Sequence, residues 1–327
     1  MTGAPMPDPH LRSGRGWPAV VMLARLAAGL LLLLSIALQP AAAADSNVTV
    51  KGLSYFVRDS GGNGAVVLML HGMPDDGSVW DVQAAALARA GYRVIVPDLV
   101  GYGLTDKPEA LDRYRLASMA PDLDAILAAR GIVGPVHVVG HDWGGALAWE
   151  FVYDVPGRTR SLAVLTTGHP AVFAKESLNF KQSRWNWYMF MNALPDASTV
   201  YRAADGKLLR GMLLDSHPQR DAVTARLLQP GGIEAVLRWD RANPVSGFMI
   251  GAATGELAAL PPVDVPVFGI AGADDVFLWP SQVSNSRDYV KGSFRYAEVK
   301  GAGHWLMLDH PDEVNSLLLD WLANQTK

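Results

Sequence analysis

The chain has 327 residues, half of them apolar and 18% charged, which is the composition of a globular protein with a full core and excludes a disordered or fibrous one. Its formal net charge of -4 includes no basic block beyond Arg12 and Arg15, so the electrostatic footprint of a nucleic-acid-binding protein is missing. The absence of cysteine excludes both disulfide stapling and a lipid-anchored leader cysteine, and leaves stability to the core.

Residues 1–44 read as a secretory leader. Arg12, Arg15 and Arg25 precede the apolar run from Leu26 to Leu38, and Ala42-Ala43-Ala44 supplies a small-residue cleavage site before Asp45. The run is shorter than the roughly 20 residues a spanning helix needs, so a membrane anchor is the weaker reading. Met22 opens a more compact leader of the same kind, which leaves the start codon open between Met1 and Met22. The expectation is an exported protein, periplasmic or secreted, with no stable membrane anchor after cleavage.

From Asn47 to Pro170 short apolar runs alternate with helical patterns. The runs are Val66 to Leu70, Tyr92 to Val96, Val136 to Val139 and Leu162 to Leu165; the helical patterns are Trp80 to Ala90, Leu116 to Ala129 and Ala146 to Val152. Strands this apolar on both faces, separated by helices, predict an α/β fold whose mostly parallel sheet has helices on both sides. Between residues 171 and 258 the text is helical and rich in Trp and Tyr, as an inserted cap would be. Alternation resumes with Val265 to Ile270, Phe294 to Val299 and a last helix from Pro311 to Leu322, so the core spans 45–170 and 259–327.

Gly140-His141-Asp142-Trp143-Gly144-Gly145 joins a predicted strand to a predicted helix, the context of a nucleophile elbow, where small residues permit a strained turn that lifts the central side chain. That side chain is Asp142; the competing reading is an ordinary helix N-cap. A serine attacking a saturated carbon would leave an ether that resists water, whereas a carboxylate leaves an ester whose carbonyl belongs to the enzyme. The electrophile is therefore expected to be an epoxide or a carbon bearing halide. His71-Gly72-Met73-Pro74 follows the strand ending at Leu70, so the Met73 and Trp143 amides are the expected oxyanion donors.

Gly303-His304-Trp305 lies between the last strand and the last helix, where a general base belongs. The third member is expected after the strand Val265 to Ile270, in Gly272-Ala273-Asp274-Asp275; Asp275 is chosen over Asp274 to orient His304. Asp98, which also ends a strand, reads as a structural turn residue. Histidine spacing implies no metal site, Gly101-Tyr102-Gly103 does not continue into a phosphate loop, and no cofactor is expected beyond water.

Across residues 50 to 325 the chain resembles the epoxide hydrolase and haloalkane dehalogenase branch of the α/β-hydrolase fold. The matching words are His71-Gly72-Met73-Pro74, Gly91-Tyr92-Arg93-Val94, Gly101-Tyr102-Gly103, Gly140-His141-Asp142-Trp143-Gly144-Gly145 and Gly303-His304-Trp305. The resemblance is strongest to epoxide hydrolases, and it implies a small apolar organic substrate opened through an aspartyl ester to a diol. In that family two cap tyrosines donate to the epoxide oxygen. Here the first position falls on Trp187, with Tyr188 available by a shifted register, and the second on Asp240, which would donate if burial kept it protonated. The aromatic text from Trp185 to Tyr188 also resembles the cap of fluoroacetate dehalogenases, and Trp143 with Trp187 would form the indole pair that holds a halide. Against haloacids, the position of a substrate-gripping arginine carries Trp143 and Ala146. A catalytically silent small-molecule binding protein is the reading from another class.

Overall fold

The computed structural model describes residues 1–3, 43–256 and 260–325, so the expected leader lies outside the described residues except at its ends. Eight strands form one sheet in the order β1-β2-β4-β3-β5-β6-β7-β8. The strands β3 (Val66–Leu70), β4 (Arg93–Pro97), β5 (Val136–His141), β6 (Thr159–Leu165), β7 (Val267–Gly272) and β8 (Phe294–Val299) run parallel. Two further strands, β1 (Ser46–Val50) and β2 (Leu53–Asp59), form a hairpin about Lys51-Gly52, both at positive φ (47° and 80°), and add antiparallel to β4.

Each central strand serves two cores because successive side chains face opposite ways. Leu68, Leu70, Val138 and Val164 enter the cluster that also holds Leu123, Leu147 and Trp149. Val67, Met69, Val139 and Leu165 enter the other, beneath Trp80, Leu318 and Trp321. Trimming one of these fully buried side chains to alanine would cost about 2–5 kcal/mol. That rigidity fixes where the carboxyl ends of the strands point.

Between β6 and β7 the elements of the described residues are helices, from Pro170–Ser177 to Val245–Thr254, followed by an isolated bridge of Val263 to Val290. The expected end of the cap at residue 258 falls among residues that are not described. These helices are fastened to the loop after β3. His217 Nε2 lies 3.1 Å from Asp75, Arg226 pairs with Asp76 at 2.9 Å, and Trp305 Nε1 donates to Asp75 at 3.0 Å.

Candidate active site

Asp142 caps the turn between β5 and the helix Trp143–Asp154 with φ 52° and ψ -124°, a conformation a non-glycine residue holds only when its surroundings enforce it. The enforcement is steric. A Cβ at Gly144 would collide with the carbonyls of Leu70 and His71, and one at Gly72 with Asp142 itself. The loop after β3 and the elbow therefore touch backbone to backbone. Thr167, beyond β6, donates its hydroxyl to the Asp142 carbonyl at 2.9 Å and holds the turn from a third side.

The Met73 amide donates to Asp142 Oδ1 at 2.8 Å, and the Trp143 amide also bonds this carboxylate. Oδ2 faces His304 Nε2 at 3.5 Å. Burial alone would raise the Asp142 pKa, but the hydrogen bond and charge of His304 and the amides around it outweigh that and hold it below the usual carboxylate range. The elbow thus keeps an ionised carboxylate with one oxygen held by backbone amides and the other turned to His304.

His304 Nδ1 donates to Asp275 Oδ2 at 2.8 Å, while Asp275 Oδ1 accepts from the Phe277 and Leu278 amides at 2.7 and 3.0 Å. Burial would lower the His304 pKa; the Asp275 charge, then the hydrogen bonds to Asp142 and Asp275, raise it to about 10. The imidazole is consequently protonated between two carboxylates in the resting protein. Asp274, the alternative third member, makes no ion pair with His304, and its amide bonds the Ala302 carbonyl.

Two histidines that the sequence reading passed over support these groups. His141 is neutral, its pKa pushed to about 4 by burial and then by the His304 charge, and its Nε2 donates to the His304 carbonyl at 2.9 Å. His71 Nε2 accepts from the Leu99 amide at 2.9 Å, which leaves its proton on Nδ1 for the Gly72 carbonyl at 3.1 Å. Both flank a motif residue, but nothing in their spacing distinguishes a second-layer support from a core histidine. Asp98 accepts from Arg58 and from the Gly77 and Leu104 amides, consistent with a turn residue.

Asp142, Trp143 and Tyr188 stand where two cavities meet. One, enclosing about 530 Å³ including its mouth, is apolar and lined by Leu116, Ala146, Phe173, Met189, Phe248 and Leu278 among others. The other, of about 400 Å³, runs past Met73, Pro74, Phe277, His304 and Trp305. Burial, and then the charges of Asp142 and Asp240, hold the Tyr188 hydroxyl well above its ordinary pKa. It stays a donor throughout the neutral range.

The placement of Trp187 corrects the register expected for the cap. Trp187 is 38% exposed, lines neither cavity and packs edge-on against Tyr188, which takes the inward face of the helix Trp187–Asn192. One residue turns a helical side chain by about 100°, and a sequence in which both neighbours are aromatic does not say which faces in. The expected indole pair is therefore not formed. Of the other indoles near the nucleophile, Trp239 Nε1 is spent on the Val100 carbonyl and Trp305 Nε1 on Asp75. Asp240 is buried behind the cavity lining, on the helix Gly232–Ala242.

The sequence profile of the α/β hydrolase fold family matches residues 65–311. An AB hydrolase superfamily protein, YfhM, of Bacillus subtilis (strain 168) is 31% identical over 296 residues, covering 85% of this chain and 97% of that protein. Epoxide hydrolase A of Mycobacterium tuberculosis is 27% identical over 311 residues, 84% of this chain and 96% of that one. Among solved structures, an epoxide hydrolase from metagenomes of hot environments superposes with a TM-score of 0.75 at 23% identity over 86% of this chain and 99% of that one, which shows that the fold is shared.

Proposed function

This chain belongs to the α/β hydrolase fold family, and from that membership we propose that it is an epoxide hydrolase working through an ester on Asp142. The observation that carries the reading is the divided Asp142 carboxylate, with Oδ1 held by the Met73 amide and Oδ2 facing His304, at the junction of two cavities that Tyr188 also lines. The relatives named epoxide hydrolases point the same way.

Oδ2 attacks an epoxide carbon, the ring C–O bond breaks, and its electron pair stays on oxygen, which Tyr188 meets with a hydrogen bond as a proton reaches it. Esterification removes the Asp142 charge, one of the influences that raise the His304 pKa, so the imidazolium releases its proton, replacing the one the alkoxide took from the site, and becomes free to act as a base. His304 then takes a proton from water as its oxygen adds to the ester carbonyl. The Met73 and Trp143 amides carry the oxyanion, and Asp275 stabilises the imidazolium. Collapse releases the diol and restores the carboxylate. A haloalkane reading is weaker because Trp187 lines neither cavity and the indole N–H groups of Trp239 and Trp305 are bonded to Val100 and Asp75.

The test is His304→Gln, which blocks the second step. Mixed with a small apolar epoxide, this variant should accumulate a protein heavier by the whole epoxide mass, with the adduct mapped to Asp142. A gain equal to substrate minus hydrogen halide from a haloalkane panel would make it a dehalogenase. A panel that yields no adduct and no turnover by the parent enzyme would leave a binding protein. The leader adds export to the proposal, supported by the run before Ala42-Ala43-Ala44; N-terminal sequencing of the exported product should begin near Asp45, and retention of Met1 or Met22 would make it an anchored protein.

A further inference from the structure

The buried carboxylates of this protein differ sharply in the donors they receive. Asp59 accepts from Arg93 twice, at 3.0 and 2.7 Å, and from the Gly61 amide at 2.9 Å. Asp98 has Arg58 and two amides, and Asp275 has His304 and two amides. Asp240, only 1% exposed, has a single neutral donor among the described residues: Asn192 Nδ2 bonds its Oδ2 at 2.8 Å. Its neighbour Arg241 is turned away, donating to the Leu194 and Pro195 carbonyls at 2.8 and 3.2 Å. A carboxylate so poorly provided cannot stay charged out of water, so it holds a proton.

The hydrogen bonds fix where that proton sits. Tyr201 donates its hydroxyl to Asn192 Oδ1 at 2.6 Å, which locks the amide with its nitrogen toward Asp240. Asp240 Oδ2 is therefore the carbonyl oxygen. Oδ1 is the hydroxyl, and it has no partner among the described residues. Asn192 Nδ2 also lies 4.0 Å from the sulfur of Met73, the residue whose amide holds Asp142. Trp239, adjacent to Asp240, packs on both Trp143 and Tyr102 at 5.9 and 5.6 Å. An unmet buried donor thus stands behind Asn192 and Met73, the residue that holds the nucleophile.

We propose that the protonated Asp240 carboxyl, oriented by Asn192 and Tyr201, is the second acid of ring opening: its Oδ1–H donates, directly or across one water, to the oxygen that Tyr188 also meets. The inference rests on the epoxide reading above. One proton is transferred: it leaves Oδ1 for the epoxide oxygen as the ring C–O electron pair collects there, while Tyr188 holds that oxygen by a hydrogen bond, and a proton returns to Asp240 through water. Burial first, then the Asp142 charge, raise Asp240 to about 8, against the lowering effects of Asn192 and Arg241. Esterifying Asp142 removes its charge, so Asp240 becomes a stronger acid at the step that uses it.

The groups facing Asp240 from the packed elements are Asp142, Tyr102, Tyr188, Tyr201 and Arg241. The three tyrosines are raised and Asp142 is lowered, so none of these should titrate near pH 8. Rapid-quench mass spectrometry of wild-type alkylation from about pH 6 to about pH 9 is the measurement. The rate should be flat in acid and fall toward tenfold per unit above about pH 8. Asp240→Asn, which keeps an N–H donor that does not titrate, should alkylate about 10- to 100-fold more slowly at pH 6 and lose the alkaline limb. Asn192→Leu removes an influence that lowers the Asp240 pKa, so its limb should move to higher pH; a merely structural role would leave the limb in place. Difference infrared spectra of the wild type should show a neutral-carboxyl band that vanishes above about pH 8 and is missing in Asp240→Asn, a readout independent of turnover. Adduct forming with a flat profile, or a limb unchanged in Asp240→Asn, overturns the inference and spares the epoxide reading. Absence of any adduct at any pH overturns both.

Discussion

Asp142, Asp275 and His304 each stand just beyond a parallel strand, whereas Tyr188 and Asp240 project from helices laid over the sheet, and the two sets are held by different means. The core set is fixed by backbone. Gly144 touches the Leu70 and His71 carbonyls, and Asp275 is pinned by two amides, so neither carboxyl can move without breaking the turn that carries it. The cap set is fixed by side chains: Asn192 and Tyr201 around Asp240, and His217 and Arg226 reaching down to Asp75 and Asp76. On this reading, the chemistry of the ester belongs to the rigid half, while ring opening and substrate choice belong to the half that single substitutions can retune.

If that division is right, changes in the core should act on ester hydrolysis and changes in the cap on ester formation. The largest separation is expected from Asp275→Asn. The neutral amide removes the first of the influences that raise the His304 pKa and no longer stabilises the imidazolium formed when water is deprotonated. Steady-state turnover should fall by roughly 10²- to 10⁴-fold, with the alkylated enzyme accumulating because formation is slowed less than hydrolysis. Intact mass during turnover checks this; an enzyme that stays unmodified while equally slow would mean that Asp275 serves the first step instead.

A smaller and opposite effect is expected from Tyr188→Phe, which deletes a donor while keeping the ring that packs edge-on against Phe277 at 5.6 Å. Alkylation should slow by about 10- to 100-fold, less than the loss of a sole oxyanion donor because Asp240 remains. Hydrolysis of an ester once formed should be unchanged. Since burial holds the Tyr188 hydroxyl well above its ordinary value, the variant should also keep the alkaline limb near pH 8 expected of the wild type. Loss of that limb in Tyr188→Phe would reassign it to the tyrosine.

The same division explains what was legible in the sequence. The bounds of Val66–Leu70, Leu116–Ala129 and Phe294–Val299 were readable because apolar runs bounded by breakers leave one register. Positions at strand ends inherit that certainty, so the loops bearing Asp142, Asp275 and His304 could be placed by counting. The hairpin of β1 and β2 was not read as strands, because apolar Phe56 on its outward face and charged Asp59 on its buried face break the alternation, and Asp59 is accommodated by Arg93, a residue 34 positions away. Asn192 was missed altogether, since a polar residue on a cap helix shows its purpose only once Tyr201 and Asp240 are beside it.

Trp187 is where this comparison is most sharply exposed. With 38% of its surface in solvent and its only ring contact the edge of Tyr188, it contributes packing on the outer side of the cap rather than a wall of the cavity. Replacing it by alanine should change kcat/KM by less than about threefold and cost less than about 1 kcal/mol of stability, as for other surface positions with few buried contacts. Single-turnover alkylation with small and bulky epoxides checks the first, thermal unfolding the second. A tenfold loss confined to alkylation, with stability intact, would show that the helix Trp187–Asn192 rotates when substrate enters and brings the indole inward. In that case the cap register would be set by the substrate as much as by the chain, and the hydroxyl of Tyr188 would have to leave the epoxide oxygen as Trp187 arrived.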